Sequence, residues 1–329
     1  MSRHVLWLFL ARVAVLLSLT AARAPAQDWR EDVQNQGIVT YAAAVPYASG
    51  WCFIGKGRDD QGRLARSYGV FRYDVASRKV SAPFPSDRIS AVFRGGVSPD
   101  DGCFACSSSG QRLAIGLRST TGSIARSYIF NDIVIVDACS SSLTVAVGDR
   151  MDNRNYAWSP DGARLLYFAY PPGTMFDTNA GRKAVGYCVR LLTVDTGQVE
   201  TVVPASKIER EGVDYLVKAE WAPDGHLAVF PFYDDGPDFC AYDPGARRVR
   251  KLAHSVWSFP EFAFCDKKRV VALTEENLWL IDTDSGTTSI LAASPAHGLR
   301  NLKVVDGKAQ YSSGSSHAVE TKTVEIPRD

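Results

Sequence analysis

An excess of either charge is missing from this sequence. Its 37 Lys and Arg stand against 36 Asp and Glu, a net of +1 over 329 residues. With no basic run or stripe, nucleic acid and acidic membrane surfaces are set aside as partners. Also missing is an apolar run long enough to span a bilayer. The charge-free stretch 13–22 has ten residues, where a spanning helix needs about 20. Helical periodicity of useful length is absent, and so is a G-x-S-x-G nucleophile elbow. C-x-x-C occurs once, at Cys103 and Cys106. No second pair completes a zinc set, and no His follows it for haem attachment. In a strand, residues three apart face opposite ways, so the two sulfurs are expected to act as small buried hydrophobes.

What is present begins with a processing segment. Arg3 and Arg12 precede the charge-free run, and Ala24 and Ala26 then supply an A-x-A pattern before Gln27. This is the layout of a secretory signal peptide over residues 1–26. It predicts an exported protein, periplasmic or extracellular, with residues 27–329 as its mature chain. All seven cysteines (Cys52, Cys103, Cys106, Cys139, Cys188, Cys240 and Cys265) follow that segment. An odd count leaves at least one thiol outside any intramolecular bridge, and the pairing stays open.

The mature chain repeats itself. Residues 62–68 read GRLARSY and residues 122–128 read GSIARSY, with a Ser-Gly pair fifteen residues before each Ala. YAWSPDGARLLYF (156–168) aligns with FACSSSGQRLAIG (104–116) and with AEWAPDGHLAVF (219–230). Weaker copies start at 45, 261 and 301, which makes six. Each copy is an apolar run, a tight Asp-Gly or Ser-Gly turn, and a second apolar run, which is a β-hairpin signal. The turn glycine or its equivalent falls at 50, 110, 162, 225, about 267 and 307. A second hairpin follows most copies, with Asp74, Asp137, Asp195, Asp243 and Asp282 in equivalent places. Recurrence at a turn assigns these aspartates to turn structure and not to a metal.

Each unit is therefore four strands, A to D. Six such units predict an all-β, six-bladed β-propeller occupying residues 27–329 as one domain. Continuous apolar runs such as ARLLYFAY suit strands covered on both faces. The last unit lacks a fourth strand, and QGIVTYA (36–42) is expected to close the ring beside it, removing an open edge. The stretch 85–102 carries an SPDDG of its own and is read as a long connection. ARSY marks the start of strand C, with Tyr68, Tyr128 and Tyr187 expected between blades.

WSPDG (158–162) and WAPDG (221–225), followed by an apolar strand and a second turn, resemble the TolB-type propeller repeat, also called WD40-like or PD40. The resemblance covers about residues 36–326. It implies an exported propeller, here expected without the α/β domain that precedes the repeats in TolB. Propellers of this type also precede the hydrolase domain of prolyl oligopeptidase-like enzymes.

A–B and C–D turns share one rim of such a fold, and the long B–C loops and D–A connections share the other. Function is expected on the long loops. The candidates there are Arg66, Asp87, Arg126, Asp149, Asp234, Asp235, His254 and His297. Arginines at a rim suit an anionic group, and the carboxylates with two histidines suit a divalent cation, although no metal set or other cofactor is evident. The reading is a binding module, monomeric, for a protein partner or small ligand on the loop face. The alternative is a secreted propeller enzyme of lyase, glycosidase or lactonase type, with a metal or carboxylate site at the channel mouth.

Overall fold

The computed structural model describes residues 28–47, 50–59, 61–84, 97–98, 101–121, 128–137, 142–171, 183–184, 187–205, 210–211, 218–233, 237–254, 261–274, 276–293, 300–313 and 320–327. The signal segment expected at 1–26 lies outside them. Strands dominate, and the repeat units emerge as antiparallel meanders. The first is β1 (Ile38–Tyr47), β2 (Gly50–Gly57), β3 (Gly69–Asp74) and β4 (Lys79–Phe84). The second is β5 (Phe104–Cys106), β6 (Arg112–Thr121), β7 (Tyr128–Asp137) and β8 (Ser142–Val147). The third is β9 (Asp152–Trp158), β10 (Arg164–Tyr170), β12 (Cys188–Thr193) and β13 (Gln198–Val203), while β11 (Lys183–Ala184) pairs apart with β14 (Arg210–Glu211). A parallel bridge from Asn131 to Asp152 joins the second and third meanders into one eight-stranded sheet. The fourth is β15 (Glu220–Trp221), β16 (Ala228–Tyr233), β17 (Pro237–Asp243) and β18 (Arg248–His254). The fifth is β19 (Glu261–Phe264), β20 (Arg269–Leu273), β21 (Asn277–Asp282) and β22 (Thr288–Ala293), and β23 (Arg300–Val305), β24 (Lys308–Ser313) and β25 (Glu320–Glu325) form a final three-stranded sheet.

The apolar runs are buried on both faces, as their lack of alternation requires. In β10, Leu165, Tyr167 and Ala169 pack toward the second meander, and Leu166, Phe168 and Tyr170 toward the fourth. In β20, Val270 and Ala272 meet the fourth meander while Val271 and Leu273 meet the last sheet. Each meander is thus stacked face to face on the next, which makes the fold a propeller-like all-β architecture. Tyr68 and Tyr187 pack at two of these junctions, as expected of the ARSY position. The side chain of Tyr128 lies outside the description.

Three readings change. Residues 38–42 do not form a separate closing strand. They continue β1, where Ile38, Val39 and Thr40 face Gly57, Lys56 and Gly55. Ile38 is held there because it packs with Trp29, Val33, Phe53 and Phe71. That cluster reveals the second change, a helix, α1 (Asp28–Asn35), which covers the first sheet's outer face. Trp29 stacks on Trp51 with centroids 5.4 Å apart. Asp32 is bound by Arg78 at 2.6 and 2.8 Å and accepts the Tyr73 hydroxyl. Two apolar residues, Trp29 and Val33, are too few to register as periodicity. Third, Gly50 is not a left-handed turn glycine. A Cβ there would lie 1.9 Å from the Tyr73 carbonyl oxygen, so the close backbone approach selects glycine. Gly110, Gly162, Gly225 and Gly307 do adopt positive φ, from 68° to 75°. Around 85–102, Val97 bridges to Leu117 and Ser98 N–H donates to Gly116 O, so the A–B turn of the second meander is the one at 107–111.

The tight-turn rim is knitted from sheet to sheet. Arg72 Nη2 donates to Gly110 O at 2.5 Å, Arg112 Nη1 to Gly162 O at 3.0 Å, and Arg164 Nη2 to Gly225 O at 3.5 Å. Arg250 reaches the Thr283 and Asp284 carbonyls, and Arg269 Nη1 reaches Pro327 O at 2.7 Å. In each case a guanidinium satisfies carbonyls of the next sheet. The Trp of the W-x-P-D-G unit reaches the other way: Trp158 Nε1 donates to Ala105 O and Trp221 Nε1 to Ala157 O, at 3.2 and 3.0 Å.

Hydrogen bonds from charged donors contribute about 1.5–3 kcal/mol each. Arg112→Ala is therefore expected to lower unfolding free energy by about 2 kcal/mol in urea titration, while the exposed Arg248→Ala stays within about 0.5 kcal/mol.

Candidate functional site

The turn rim uses its polar groups internally. Asp74 Oδ1 accepts from Ser77 N and Oγ, Asp243 Oδ1 from Gly245 N and Ala246 N, and Asp282 Oδ1 from Ser285 N and Oγ. These hydrogen bonds hold the Asp282 carboxyl below its ordinary value. Asp195 instead pairs with Arg112 at 2.6 Å, across a sheet junction. The turn role read from sequence is observed for Asp74, Asp243 and Asp282. Asp59 is also a turn group, accepting from Gln61 N and Arg63 N and pairing with Arg63 Nε.

The loop rim differs at the junction of the second and third meanders. β8 ends opposite Ile133, and residues 148–151 cross to the start of β9. The crossing is fixed by Asn131 N–H donating to Met151 O at 3.1 Å. Six polar side chains then converge. Asn131, Asp152 and Asn153 are buried. Asn131 Nδ2 donates to Asp152 Oδ1, and Arg154 Nε lies 2.8 and 2.9 Å from the two Asp152 oxygens. Asn153 Nδ2 donates to Asn131 O and to Asp149 Oδ1, both at 3.0 Å. Arg190, from β12, pairs with Asp149 Oδ2. With both amide nitrogens facing acceptors, the Asn131 and Asn153 oxygens are placed without a protein donor.

A β-bulge aims Arg154 into this cluster. Asn155 and Tyr156 together stand opposite Tyr167, and Asn155 takes φ 57°. Asn is among the few side chains that tolerate the left-handed region, and bulges commonly redirect a neighbouring side chain. Arg150 in the crossing also has positive φ, 59°. Asp132, next along β7, has its carboxyl pushed up, first by burial and then by the negative charge of Asp149.

A second rim feature lies in the fourth meander. The buried Asp238 carboxylate binds Lys251 Nζ at 2.5 Å and His254 Nδ1 at 2.7 Å. His254 is the last residue of β18 and not part of the connection after it, because it pairs across the ladder with Asp238. Of the other sequence candidates, Asp149 belongs to the polar cluster and Arg66 is exposed in the loop between β2 and β3. Asp87, Arg126, Asp234, Asp235 and His297 lie outside the described residues. Among the described residues, no three His, Cys, Asp or Glu converge as a metal set. Asn131, Asp152, Asn153, Arg154, Arg190 and Asp238 were not singled out in the sequence. The available signals were the polar run DNRN at 152–155 opening a strand, and Asn131-Asp132 breaking an apolar one.

No family model matches the chain, and no curated protein does. Among solved structures, a prolyl endopeptidase superposes with a TM-score of 0.58 at 14% identity, over 99% of this chain and 47% of the other. Dipeptidyl peptidase 4 of Porphyromonas gingivalis gives 0.58 at 13%, over 88% and 44%. TolB from Acinetobacter baumannii gives 0.38 at 14%, over 88% and 80%. The chain spans about half the length of those peptidases. At such identity the peptidase matches show fold alone, and the fold they show is propeller-like. No helix among the described residues is long and apolar enough to cross a membrane.

Removing Asp152 leaves the Arg154 guanidinium without its buried counter-charge. Asp152→Ala is expected to cost about 3–5 kcal/mol in urea unfolding, against about 1 kcal/mol or less for the part-exposed Asp149→Ala. Asp132 behaves oppositely. Its folded pKa is raised, so the fold is favoured while the group is protonated, and that contribution is lost as pH rises through the folded value. Asp132→Asn should therefore unfold at a higher temperature than wild type at pH 7, with the gain vanishing below the unfolded value of about 3.9.

Proposed function

We propose that this is an exported TolB-like propeller, released from its signal segment at residues 1–26, that acts as a binding module through its loop rim. Its meanders are taken to close into a six-bladed ring, and its partner to be a protein or small polar ligand. One observation carries the reading: the two rims are built for different tasks. The turn rim's aspartates and arginines serve their own turns and the next sheet. The loop rim concentrates Asn131, Asp149, Asp152, Asn153, Arg154 and Arg190 at one junction, where buried Asn153 holds the part-exposed Asp149 and Asp149 holds the part-exposed Arg190. Surface charge held in place by a buried hydrogen-bonded network presents a fixed polar pattern, which is what recognition needs. The overlap with peptidases lends the scaffold, and the chain contains no G-x-S-x-G with which to carry their chemistry.

The test is photo-crosslinking in cells. A photoreactive residue is placed at Arg66 or Arg150 on the loop rim, and at Arg247 or Lys267 on the turn rim. Adducts are expected from the first pair and not from the second. Adducts from the turn rim alone, or equal adducts from both, would sink the proposal.

A further inference from the structure

The two cysteines of the single C-x-x-C face different neighbours, Cys103 closing a 3-10 turn at Asp101–Cys103 and Cys106 ending β5. Cys103 Sγ points to Asn153 O, 3.8 Å away in the third meander. Cys106 turns to the opposite side, into the core shared with the first meander, where it packs beside Cys52, Ile54 and Val70. There it shares one core cluster with Cys52, close enough for the two thiols to bias one another's protonation. The backbone explains the meeting. Cys52 in β2 is the cross-strand partner of Arg72 in β3, and Arg72 reaches the Gly110 carbonyl, in the turn that follows Cys106. The same arginine therefore braces the two sheets beside both sulfurs. The other described cysteines are engaged elsewhere. Cys188 Sγ points to Ala169 O at 3.5 Å, Cys240 lies between the third and fourth meanders, and Cys265 lies between the fifth and the last sheet.

We propose that Cys52 and Cys106 are a disulfide site that staples the first sheet to the second when the protein meets a dialkyl-disulfide oxidant. Cys52 is fully buried and Cys106 partly exposed, so the oxidant is reached through Cys106. The Cys106 sulfur attacks the external disulfide. One external S–S bond breaks, a mixed disulfide forms, and the first external thiol leaves with the Cys106 proton. The Cys52 sulfur then displaces the second external thiol from Cys106, which takes the Cys52 proton. The external disulfide gains two electrons and two protons, and the protein pair loses them. In the reduced pair, contact with Cys52 and burial push the Cys106 thiol up, which slows the first attack and makes it the step to watch. Once Cys106 is in the mixed disulfide it has no proton to donate, and the nearby Arg72 charge is what favours the Cys52 thiolate for the second attack.

The test uses the whole protein, purified reduced, treated with glutathione disulfide, blocked with iodoacetamide after unfolding, and digested without reductant. Mass spectrometry is expected to find the Cys52 and Cys106 peptides linked, two hydrogens lighter than the free pair. The oxidised protein should unfold about 5 °C above the reduced one, since the bridge closes a long loop, and Cys106→Ser should lose that difference. Alkylation of both cysteines, glutathione retained on Cys106, or linkage of either to another cysteine overturns the proposal. If the serine variant fails to fold, Cys106→Ala replaces it, and the peptide map needs no variant at all.

Discussion

The donation from an arginine of one sheet to turn carbonyls of the next is the contact on which the rest of this fold depends. Apolar faces cover one another at every junction, but hydrophobic contact is non-directional and would tolerate a slide of one sheet over another. The guanidinium supplies the direction. Its planar fork must match fixed carbonyls, as Arg72, Arg112, Arg164, Arg250 and Arg269 do in turn. The indole of Trp158 or Trp221 ties two of the junctions in the reverse sense. Arg164 also lies over the Trp221 ring, 5.1 Å from its centroid, so the two devices meet at one junction.

With relative placement set on one rim, the other is released from that work. There the chain can hold groups that would be costly without a rigid frame. Asp152 and Arg154 are both withdrawn from water, and burial of such a pair is tolerable only when nearly every hydrogen bond is made. Asn131 supplies one to Asp152, and Asn153 holds Asp149, which in turn pairs with Arg190. The bulge at Asn155 shows that local backbone regularity gave way to side-chain placement at this point.

Much of the architecture was legible in the sequence because turns are local. Asp243 and Asp282 bind backbone N–H groups two and three residues onward, so their role is visible in a short window. The doubly covered strands were legible too, since Leu165 and Leu166 face opposite cores and neither position can be polar. The polar cluster was not legible, because Asn131 and Asp152 meet through a parallel bridge between different meanders. The helix at 28–35 escaped for a related reason: its two apolar residues, Trp29 and Val33, gain meaning only from Trp51, Phe53 and Tyr73 beneath them.

The bridge between β7 and β9 also has a mechanical meaning. Among the described residues, the other neighbouring meanders touch through side chains, which can shear. Here a backbone bridge, Asn131 to Asp152, also ties the second meander to the third. Asp149 and Asp152 stand on that seam. A load applied at the seam would be shared by the strands on either side of it, so the part of the molecule most occupied with buried charge is also among the least free to yield.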